Sequence, residues 1–474
     1  MAYVLLLFFF AMRYISIDKR SADIGRERSS MDHTRKTLSQ LFWPVFIEYL
    51  LLMLVGVADT VMLSFVGDKA VSGVGTSNTY LYLVSMVFTI MSTGALTVMT
   101  QYIGAKHGEV AIQAKKLGLL FNAIIGGAFT LLFLFCSRSI LHVLSTADAI
   151  FEEANTYMMM VGATCILLAV TNVYSSYLRA FGYARYTLIS TAAGDIMNIV
   201  LNGVFIWLGW GVFGVSLATI LSRILTLVLI ISYSKRIQKD FPQGESQESN
   251  RKILSEIVRI GLPAAGELIV FNLSISFEMR CLNLMDAEGI AVGVYSYCNQ
   301  ICNLIYCAAV ALSQANGIIV GWRVGERRFD ESYRQTMTSV KWGTLVSGFT
   351  ALLCAVITKP ILSVLTDNAQ ILSLVTVVMV INVFKELGRA GNYIIGTALK
   401  SSGDATITVI MGICSMPICA VLGSYVLGLK LGYGVYGAWV GMALDECIRC
   451  IWMYLRLRSR KWEEKALAPN PVPA

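Results

Sequence analysis

Two apolar stretches of this chain are long enough to cross a bilayer, and each of them carries two carboxylates. In the first stretch Glu48 lies four residues after Pro44, and Asp59 follows eleven residues later. The second stretch repeats this spacing 219 positions further along, with Pro263, Glu267 and Glu278. A charged side chain at membrane depth costs several kcal/mol, so it marks a functional site by default. The repeat therefore predicts a membrane protein built from two similar halves.

The two acids of the first stretch share one face of the predicted helix. A separation of eleven residues corresponds to about three helical turns, which places Glu48 and Asp59 roughly 16 Å apart along the axis. We therefore expect one acid near each end of this helix.

The composition is typical of a polytopic membrane protein. Of 474 residues, 56% are hydrophobic and 14% are charged, and the mean hydropathy is +0.65. Soluble domains carry about 25% charged residues. This composition excludes a cytosolic or nucleic-acid-binding protein. The chain has three histidines and no phosphate-binding P-loop motif. We therefore expect no enzyme, no metal and no cofactor.

The apolar runs predict an all-α protein with about twelve membrane spans of ~20 or more residues. The spans are predicted at 40–65, 79–103, 114–136, 153–177, 186–208, 211–234, 256–281, 290–319, 335–357, 369–397, 404–428 and 434–456. Lys and Arg concentrate in the loops on one side, so the positive-inside rule places both termini in the cytoplasm. The predicted domains are an N-terminal segment, an N-terminal six-helix lobe, a cytoplasmic linker, a C-terminal six-helix lobe and a cytoplasmic tail, at 1–37, 38–234, 235–255, 256–457 and 458–474.

The first thirty residues do not fit this pattern. The apolar run from Tyr3 to Met12 is too short to span a bilayer, and residues 18–30 are polar. Met31 begins a segment that resembles a cytoplasmic start. We expect residues 1–30 to be an over-extended start, and the alternative is an amphipathic anchor.

Shorter glycine motifs extend the repeat through both halves. Gly104 and Gly108 follow the second span, and the eighth span is followed in the same way by Gly321 and Gly325. Because each half has six spans, both halves have the same orientation in the membrane. Such parallel repeats hold substrate sites at the interface of the two repeats.

These motifs together resemble the multidrug and toxic compound extrusion (MATE) transporters. The resemblance covers about residues 38–457 and rests on Pro44-x-x-x-Glu48, Ala58-Asp59-Thr60, Gln101 to Gly108, Asn198 to Asn202 and Gly211 to Thr219. It implies two six-helix lobes around a central cavity that opens alternately to each side. It also implies efflux of cationic, amphipathic compounds driven by inward Na⁺ or H⁺. We further expect a monomer in a bacterial plasma membrane.

The ion-coupling candidates lie in the first half. Asp59 has no cation within a helical turn, and a desolvated carboxylate of this kind takes up a proton or holds a cation. Asp195, Asn198 and Asn202 share one helix face, and Thr219 offers a further oxygen. Asn residues in membrane helices also join helices, so that interpretation stays open. Where the family commonly has Asp, this chain has Asn202, which can offer an oxygen to Na⁺ but cannot carry a proton. Asp195 keeps a proton route open.

The substrate-binding candidates are acids of both halves and one arginine. They are Glu48, Glu267, Glu278, Glu386 and Arg389. Because Glu386 and Arg389 are three residues apart on a predicted helix, they could instead form a self-neutralising pair.

Three rival functions predict different features. A lipid-linked precursor or polysaccharide flippase of the same broad fold needs a cationic cavity, which the acids at positions 48, 59, 195 and 267 disfavour. A membrane-embedded glycosyl- or acyltransferase needs clustered Asp, His and Glu residues, which the sequence does not contain. A channel does not need two similar lobes.

Overall fold

The computed structural model describes residues 36–238, 248–285, 289–363 and 368–469. These residues form thirteen α-helices and no strand, which confirms the all-α prediction. The question raised by residues 1–30 lies outside the described residues. The helices are α1 (Leu38–Ser64), α2 (Asp68–Gly104), α3 (Gly108–Val143), α4 (Phe151–Gly162), α5 (Cys165–Ala180), α6 (Ala184–Trp207), α7 (Gly211–Gln238), α8 (Asn250–Met285), α9 (Ile290–Gly325), α10 (Phe329–Leu362), α11 (Ala369–Ser401), α12 (Ala405–Ser415) and α13 (Gly434–Arg458).

Helices with apolar surfaces satisfy every backbone hydrogen bond within the segment, which is what a bilayer interior requires. Within the described residues, ten segments are long and apolar enough to cross a membrane. One of them is α12, which continues through two π-helical segments to Lys430. The pair α4 and α5, bent by 46°, gives an eleventh span. The helix α13 is not among them because its middle carries Asp445, Glu446 and Arg449.

The chain divides into two compact units. The first contains the residues up to Met99 together with His107–Ile257, and the second contains Thr100–Lys106 together with the residues from Val258 onward. The helix α2 therefore ends in the second unit, where Gln101 donates a hydrogen bond of 2.7 Å to the Ser401 carbonyl. Part of the linker predicted at 235–255 lies outside the described residues, since α7 ends at Gln238 and α8 begins at Asn250.

The core of the first unit consists of apolar side chains from α1 to α7, including Phe88, Phe133, Met158 and Val215. Small residues let its helices approach closely: a Cβ at Gly162 would collide with the Phe133 ring, so this contact needs glycine.

The second unit has two apolar clusters. One is centred on Leu282, Cys298, Met379 and Trp439. The other includes Trp462 of the segment 459–469, which follows α13. Trp462 is fully buried and donates through Nε1 to the Leu457 carbonyl at 2.9 Å. The residues directly after α13, which fall within the predicted tail, therefore pack against the second unit.

Candidate functional site

The carboxylate of Asp59, on α1, is bonded to an amide rather than to a cation. Its Oδ1 accepts a hydrogen bond of 2.9 Å from Asn202 Nδ2 on α6. Among the described residues no Lys, Arg or His forms an ion pair with Asp59. The charge of Asp59 is therefore left without a counterion in the interior of a membrane span, where an uncompensated charge is costly.

Two more side chains extend this contact into a chain of polar groups. Asn202 Nδ2 also donates to Asn198 Oδ1 at 3.2 Å, and Asn198 Nδ2 donates to Thr219 Oγ1 on α7 at 3.4 Å. Asn198 and Asn202 are 5% and 0% exposed. The Oδ1 atom of Asn202 is buried and has no hydrogen-bond partner among the described residues. Since buried acceptors are nearly always bonded, this oxygen points to a missing partner.

The sequence forms this cluster by local means. Asn198 and Asn202 are four residues apart on α6 and therefore share a face. The connection to α7 is short, and Gly209 and Gly211 adopt positive φ angles of 76° and 52°, a region that favours glycine. This tight turn brings Thr219 beside Asn198.

Asp195 lies on the same helix but outside the chain of hydrogen bonds. Among the described residues it makes no hydrogen bond and no ion pair. It lies one helical turn before Asn198 on α6 and therefore on the same side of that helix. Of the five predicted ion-coupling residues, the structure thus joins Asp59, Asn198, Asn202 and Thr219 directly and leaves Asp195 beside them.

Arg223 was missed by the sequence analysis. It lies one helical turn after Thr219 on α7, and its Nη1 donates to the Val161 carbonyl at 3.1 Å and to Thr164 Oγ1 at 2.7 Å. Val161 lies in the last turn of α4, where carbonyl groups lack helical partners. Arg223 therefore bridges the break between α4 and α5. A lone arginine inside the apolar run of 211–234 was the signal that could have revealed it.

Glu48 and Glu267 occupy equivalent contacts in the two units. Glu48 forms an ion pair with Arg179 at 2.7 Å, and Glu267 forms one with Lys400 at 2.9 Å. In each case the basic residue comes from the end of a helix in the same unit, α5 or α11. Both predicted substrate acids therefore have an internal partner in this structure.

The centre of the second unit holds a network of buried charges on α11 and α13. Arg389 contacts Glu386 at 3.1 Å and Glu446 at 3.4 Å, so the pairing of Glu386 with Arg389 that the spacing allowed is present. Arg449 contacts Asp445 at 2.6 Å and Glu446 at 3.3 Å.

Neutral groups complete this network. Asn392 donates to Glu446 at 2.9 Å, and Ser415 donates to Asp445 at 2.6 Å. Glu446 connects the two arginines. Glu446 is not among the site residues that the sequence predicts.

Glu278 on α8 and Lys385 on α11 are the buried charges outside these ion pairs. They are 5% and 2% exposed, and among the described residues neither makes a hydrogen bond or an ion pair. The Lys385 ammonium lies 4.5 Å from the centroid of the Trp439 ring. Glu278 has the same place in the repeat as Asp59, but its surroundings are different.

The described residues contain no group of three or more His, Cys, Asp or Glu side chains that could hold a metal ion. In the first unit, a cleft of about 650 Å³ is lined by Asp68, Glu152, Glu153 and Thr156 among others. None of the predicted site residues lines it.

The comparisons with known proteins agree with the repeat and the fold. The family model MatE matches residues 44–204 and again 263–426, so its two matches begin at the two repeated prolines. The transporter YisQ of Bacillus subtilis is 30% identical over 438 residues, which cover 91% of this chain and 96% of YisQ. A probable multidrug resistance protein NorM of Thermotoga maritima is 26% identical over 93% of this chain and 96% of its own.

Solved structures show the same fold. An outward-facing multidrug resistance MATE family transporter of the MOP superfamily superimposes with a TM-score of 0.83 at 20% identity, over 91% of this chain and 99% of that one. A MOP superfamily transporter from Pyrococcus furiosus, described as having a binding pocket of reverse polarity, gives a TM-score of 0.81 at 19% identity, over 91% and 98% of the two chains.

Proposed function

Since this chain belongs to the MatE family of multidrug and toxic compound extrusion transporters, we propose that it exports cationic, amphipathic compounds in exchange for inward-moving Na⁺ or H⁺. It is a multi-pass membrane protein of a multidrug efflux family, and its helices satisfy the requirements of a bilayer. The exchange proceeds by alternating access. We place the transporter, as a monomer, in a bacterial plasma membrane with both termini in the cytoplasm.

The observation that carries this proposal is the polar chain that begins at Asp59. A carboxylate at membrane depth without a counterion is stabilised when its charge is neutralised, either by a bound proton or by a bound metal cation. The orphaned Oδ1 of Asn202 is a neutral oxygen a few ångströms from that carboxylate, since the Asn202 amide nitrogen bonds Asp59 directly. Na⁺ takes several such hard oxygen ligands, and Asn198 and Thr219 could add two more.

Coupling follows if the ion binds one conformation of the transporter more tightly than the other. A ligand shifts a conformational equilibrium only by its difference in affinity for the two states. The ion at Asp59 would favour one state and the organic substrate the other, so that entry of the ion drives release of the substrate.

For the substrate, the second unit offers Glu278, a buried acid with no bonded partner among the described residues. The apolar cluster in which its neighbours Met279 and Leu282 pack includes the rings of Tyr295 and Trp439, whose centroids are 5.6 Å apart. Aromatic faces attract organic cations. Glu48, Glu267 and Glu386 already have cationic partners, so a substrate would reach them only after those pairs opened.

A flippase of similar fold is less well supported. It would have to bind a pyrophosphate-linked lipid through an excess of buried basic groups. Among the described residues of the second unit, the buried charges are five acids and two bases, namely Glu278, Glu386, Asp404, Asp445, Glu446, Lys385 and Arg449, and Arg389 is half-buried. The balance is acidic and favours a cationic substrate.

Ethidium efflux from proteoliposomes tests the proposal. Reconstituted protein is given a Na⁺ gradient at constant pH or a pH gradient without Na⁺. One of the two gradients should drive efflux in the wild type. Asp59→Asn keeps the side-chain volume but removes the charge, so we expect gradient-driven efflux to fall by roughly 10- to 150-fold, the equivalent of about 1.5–3 kcal/mol.

Asp148→Asn is the matched control, because Asp148 is exposed and lies in a short turn before α4. It should leave efflux unchanged. Gradient-driven efflux that persists in Asp59→Asn would overturn the assignment of Asp59 as the coupling residue.

A further inference from the structure

Lys385 is a deeply buried base of the second unit that lies outside its ion pairs. Its side chain is among the largest fully buried ones of the described residues, and its ammonium nitrogen lies 4.5 Å from the centroid of the Trp439 ring. Lysine prefers to extend its ammonium group to water or to an acid. On α11 it does neither, and the described residues include no acid in ion-pair contact with it. A fully buried ammonium group without a bonded acid needs a nearby negative charge for its stability.

The other two cations of this region are already committed. Arg389 bridges Glu386 and Glu446, and Arg449 bridges Asp445 and Glu446. Two guanidinium groups thus hold three carboxylates. The remaining acid is Glu278 and the remaining base is Lys385.

Glu278 faces these groups from α8. Met279 and Leu282, which flank it on this helix, pack in the same apolar cluster as Trp439, the ring that the Lys385 ammonium contacts. Since both arginines already hold other carboxylates, Lys385 is the base that remains to compensate Glu278. Neither member of this pair is within bonding distance of the other, and neither has another bonded partner among the described residues.

The equivalent acid of the first unit has no such help. Asp59 has amide and hydroxyl groups around it, and no lysine or arginine of the described residues pairs with it. A neutral shell of this kind leaves the carboxylate free to take a cation from solution. A shell that already contains an ammonium group does not.

We propose that Lys385 is a tethered cation that serves Glu278 in the second unit as a free Na⁺ or H⁺ serves Asp59 in the first. This inference rests on the proposed function. Its consequence is a stoichiometry: each chain takes up one free coupling cation, at Asp59, although the repeat supplies two equivalent acids. A cationic substrate that reaches Glu278 has to replace the Lys385 ammonium.

The test counts cations bound by the purified full-length protein, so it does not depend on transport. Equilibrium binding of ²²Na⁺ at constant pH is measured beside proton uptake in Na⁺-free buffer, and the two arms distinguish the two ions. The wild type should bind one cation per chain and Asp59→Asn none. Lys385→Met leaves Glu278 without compensation and should bind two. Lys385→Arg keeps the charge and should bind one.

The double variant Glu278→Gln with Lys385→Met removes both charges and should return to one cation. If Lys385→Met is too unstable to count, its melting temperature gives the same information: added Na⁺ or a lower pH should raise it more than that of the double variant. An equal response of the two variants overturns the proposal.

The outcomes separate this inference from the proposed function. A wild type that binds no cation, or an Asp59→Asn variant that still binds one, overturns coupling at Asp59 itself. A wild type that binds one cation together with a Lys385→Met variant that also binds one overturns the role of Lys385 alone. A wild type that binds two cations, of which Asp59→Asn retains one, shows that Glu278 takes a free cation. This result also overturns the role of Lys385.

Discussion

The two units of this chain share an outline and differ in their interiors. Each has an acid four residues after a proline, and this acid pairs with a basic residue at the end of another helix. The pairs are Glu48 with Arg179 and Glu267 with Lys400. Eleven residues after this acid, each unit has a second acid, and the surroundings of the second acid differ between the units. Asp59 is held by a neutral amide, whereas Glu278 belongs to a unit whose centre holds two arginines, a lysine and further acids.

This difference shows how a duplicated fold can separate two tasks. Helix packing and the outer ion pair depend on backbone geometry and on one favourable contact, which both copies retain. The interior charge depends on whichever side chains surround it. A neutral polar shell suits reversible binding of an ion, because the carboxylate gains most of its stabilisation from that ion. A shell of fixed charges suits a permanently compensated carboxylate, because the protein itself supplies the counterions.

The largest expected effect concerns the fixed charges. Arg389→Met leaves Glu386 and Glu446 without one of their shared cations, and the loss of one partner from a buried ion pair costs about 3–5 kcal/mol. We expect a lower melting temperature of the detergent-solubilised protein and a loss of folded protein on incubation at about 37 °C.

Arg458→Met is the matched control for this variant. Arg458 is exposed at the end of α13. It should change the melting temperature little, because surface substitutions usually alter stability by about 0.5 kcal/mol or less. If both variants melt alike, the network of the second unit does not stabilise the fold and the comparison fails.

A smaller loss is expected for the arginine of the first unit. Arg223 donates to neutral oxygens, those of Val161 and Thr164, and Thr164 Oγ1 already bonds the Val161 carbonyl at 2.7 Å. Arg223→Met therefore leaves no unpaired carboxylate and should cost about 1 kcal/mol. The melting temperature measures this. A destabilisation equal to that of Arg389→Met would mean that the first unit also depends on a buried charge pair.

How far the sequence predicted these features depended on the range of the interactions. The positions of the predicted spans follow from local hydrophobicity and match helices closely, for example 290–319 against Ile290–Gly325. The helix at the twelfth predicted span, α13, is not among the described segments that are apolar enough to cross a membrane. The grouping of Asn198, Asn202 and Thr219 followed from helical spacing and one short turn. The sequence predicts one span over 153–177 and not the break after Gly162, because the side chain that bridges this break comes from α7.

The ion pairs were the least predictable part. The sequence predicts Arg179 and Lys400 only as loop charges that set the membrane orientation. In the structure Arg179 pairs with Glu48 across 131 positions of sequence, and Lys400 pairs with Glu267. A hydropathy pattern gives the depth of a charge but not its partner in another helix, and such pairs could be read only from the packed structure.

The shared outer pairs predict equal effects in the two units. Glu48→Gln and Glu267→Gln each remove one half-buried carboxylate from a pair with a basic residue. Each should lower stability by about 1–3 kcal/mol, and the two losses should agree within about 0.5 kcal/mol because the contacts are alike. Thermal unfolding compares them.

The same variants also test the substrate role of Glu267. If this acid binds cationic substrate as well, Glu267→Gln should raise the KM for ethidium more than Glu48→Gln does. Equal KM values would leave Glu267 with the structural pair alone.

The smallest expected effect decides which ion the first unit uses. Asn202→Ala removes the amide that bonds Asp59 and the orphaned oxygen beside it. If the ion is Na⁺, this variant loses one ligand, and the apparent affinity for Na⁺ should fall roughly 5- to 10-fold, the equivalent of about 1–1.4 kcal/mol. If the ion is H⁺, the carboxylate still accepts its proton, so proton-driven efflux should survive.

Asp195→Asn serves as the counterpart, since it removes the second acid near Asp59 and keeps the side-chain volume. Efflux is measured at constant pH with and without a Na⁺ gradient. Dependence on Na⁺ that weakens in Asn202→Ala and persists in Asp195→Asn identifies a sodium site of neutral oxygens. Transport that ignores Na⁺, survives Asn202→Ala and is lost in Asp195→Asn identifies a proton pathway through two carboxylates, and in that case the amide shell of the first unit positions Asp59 rather than binding the ion.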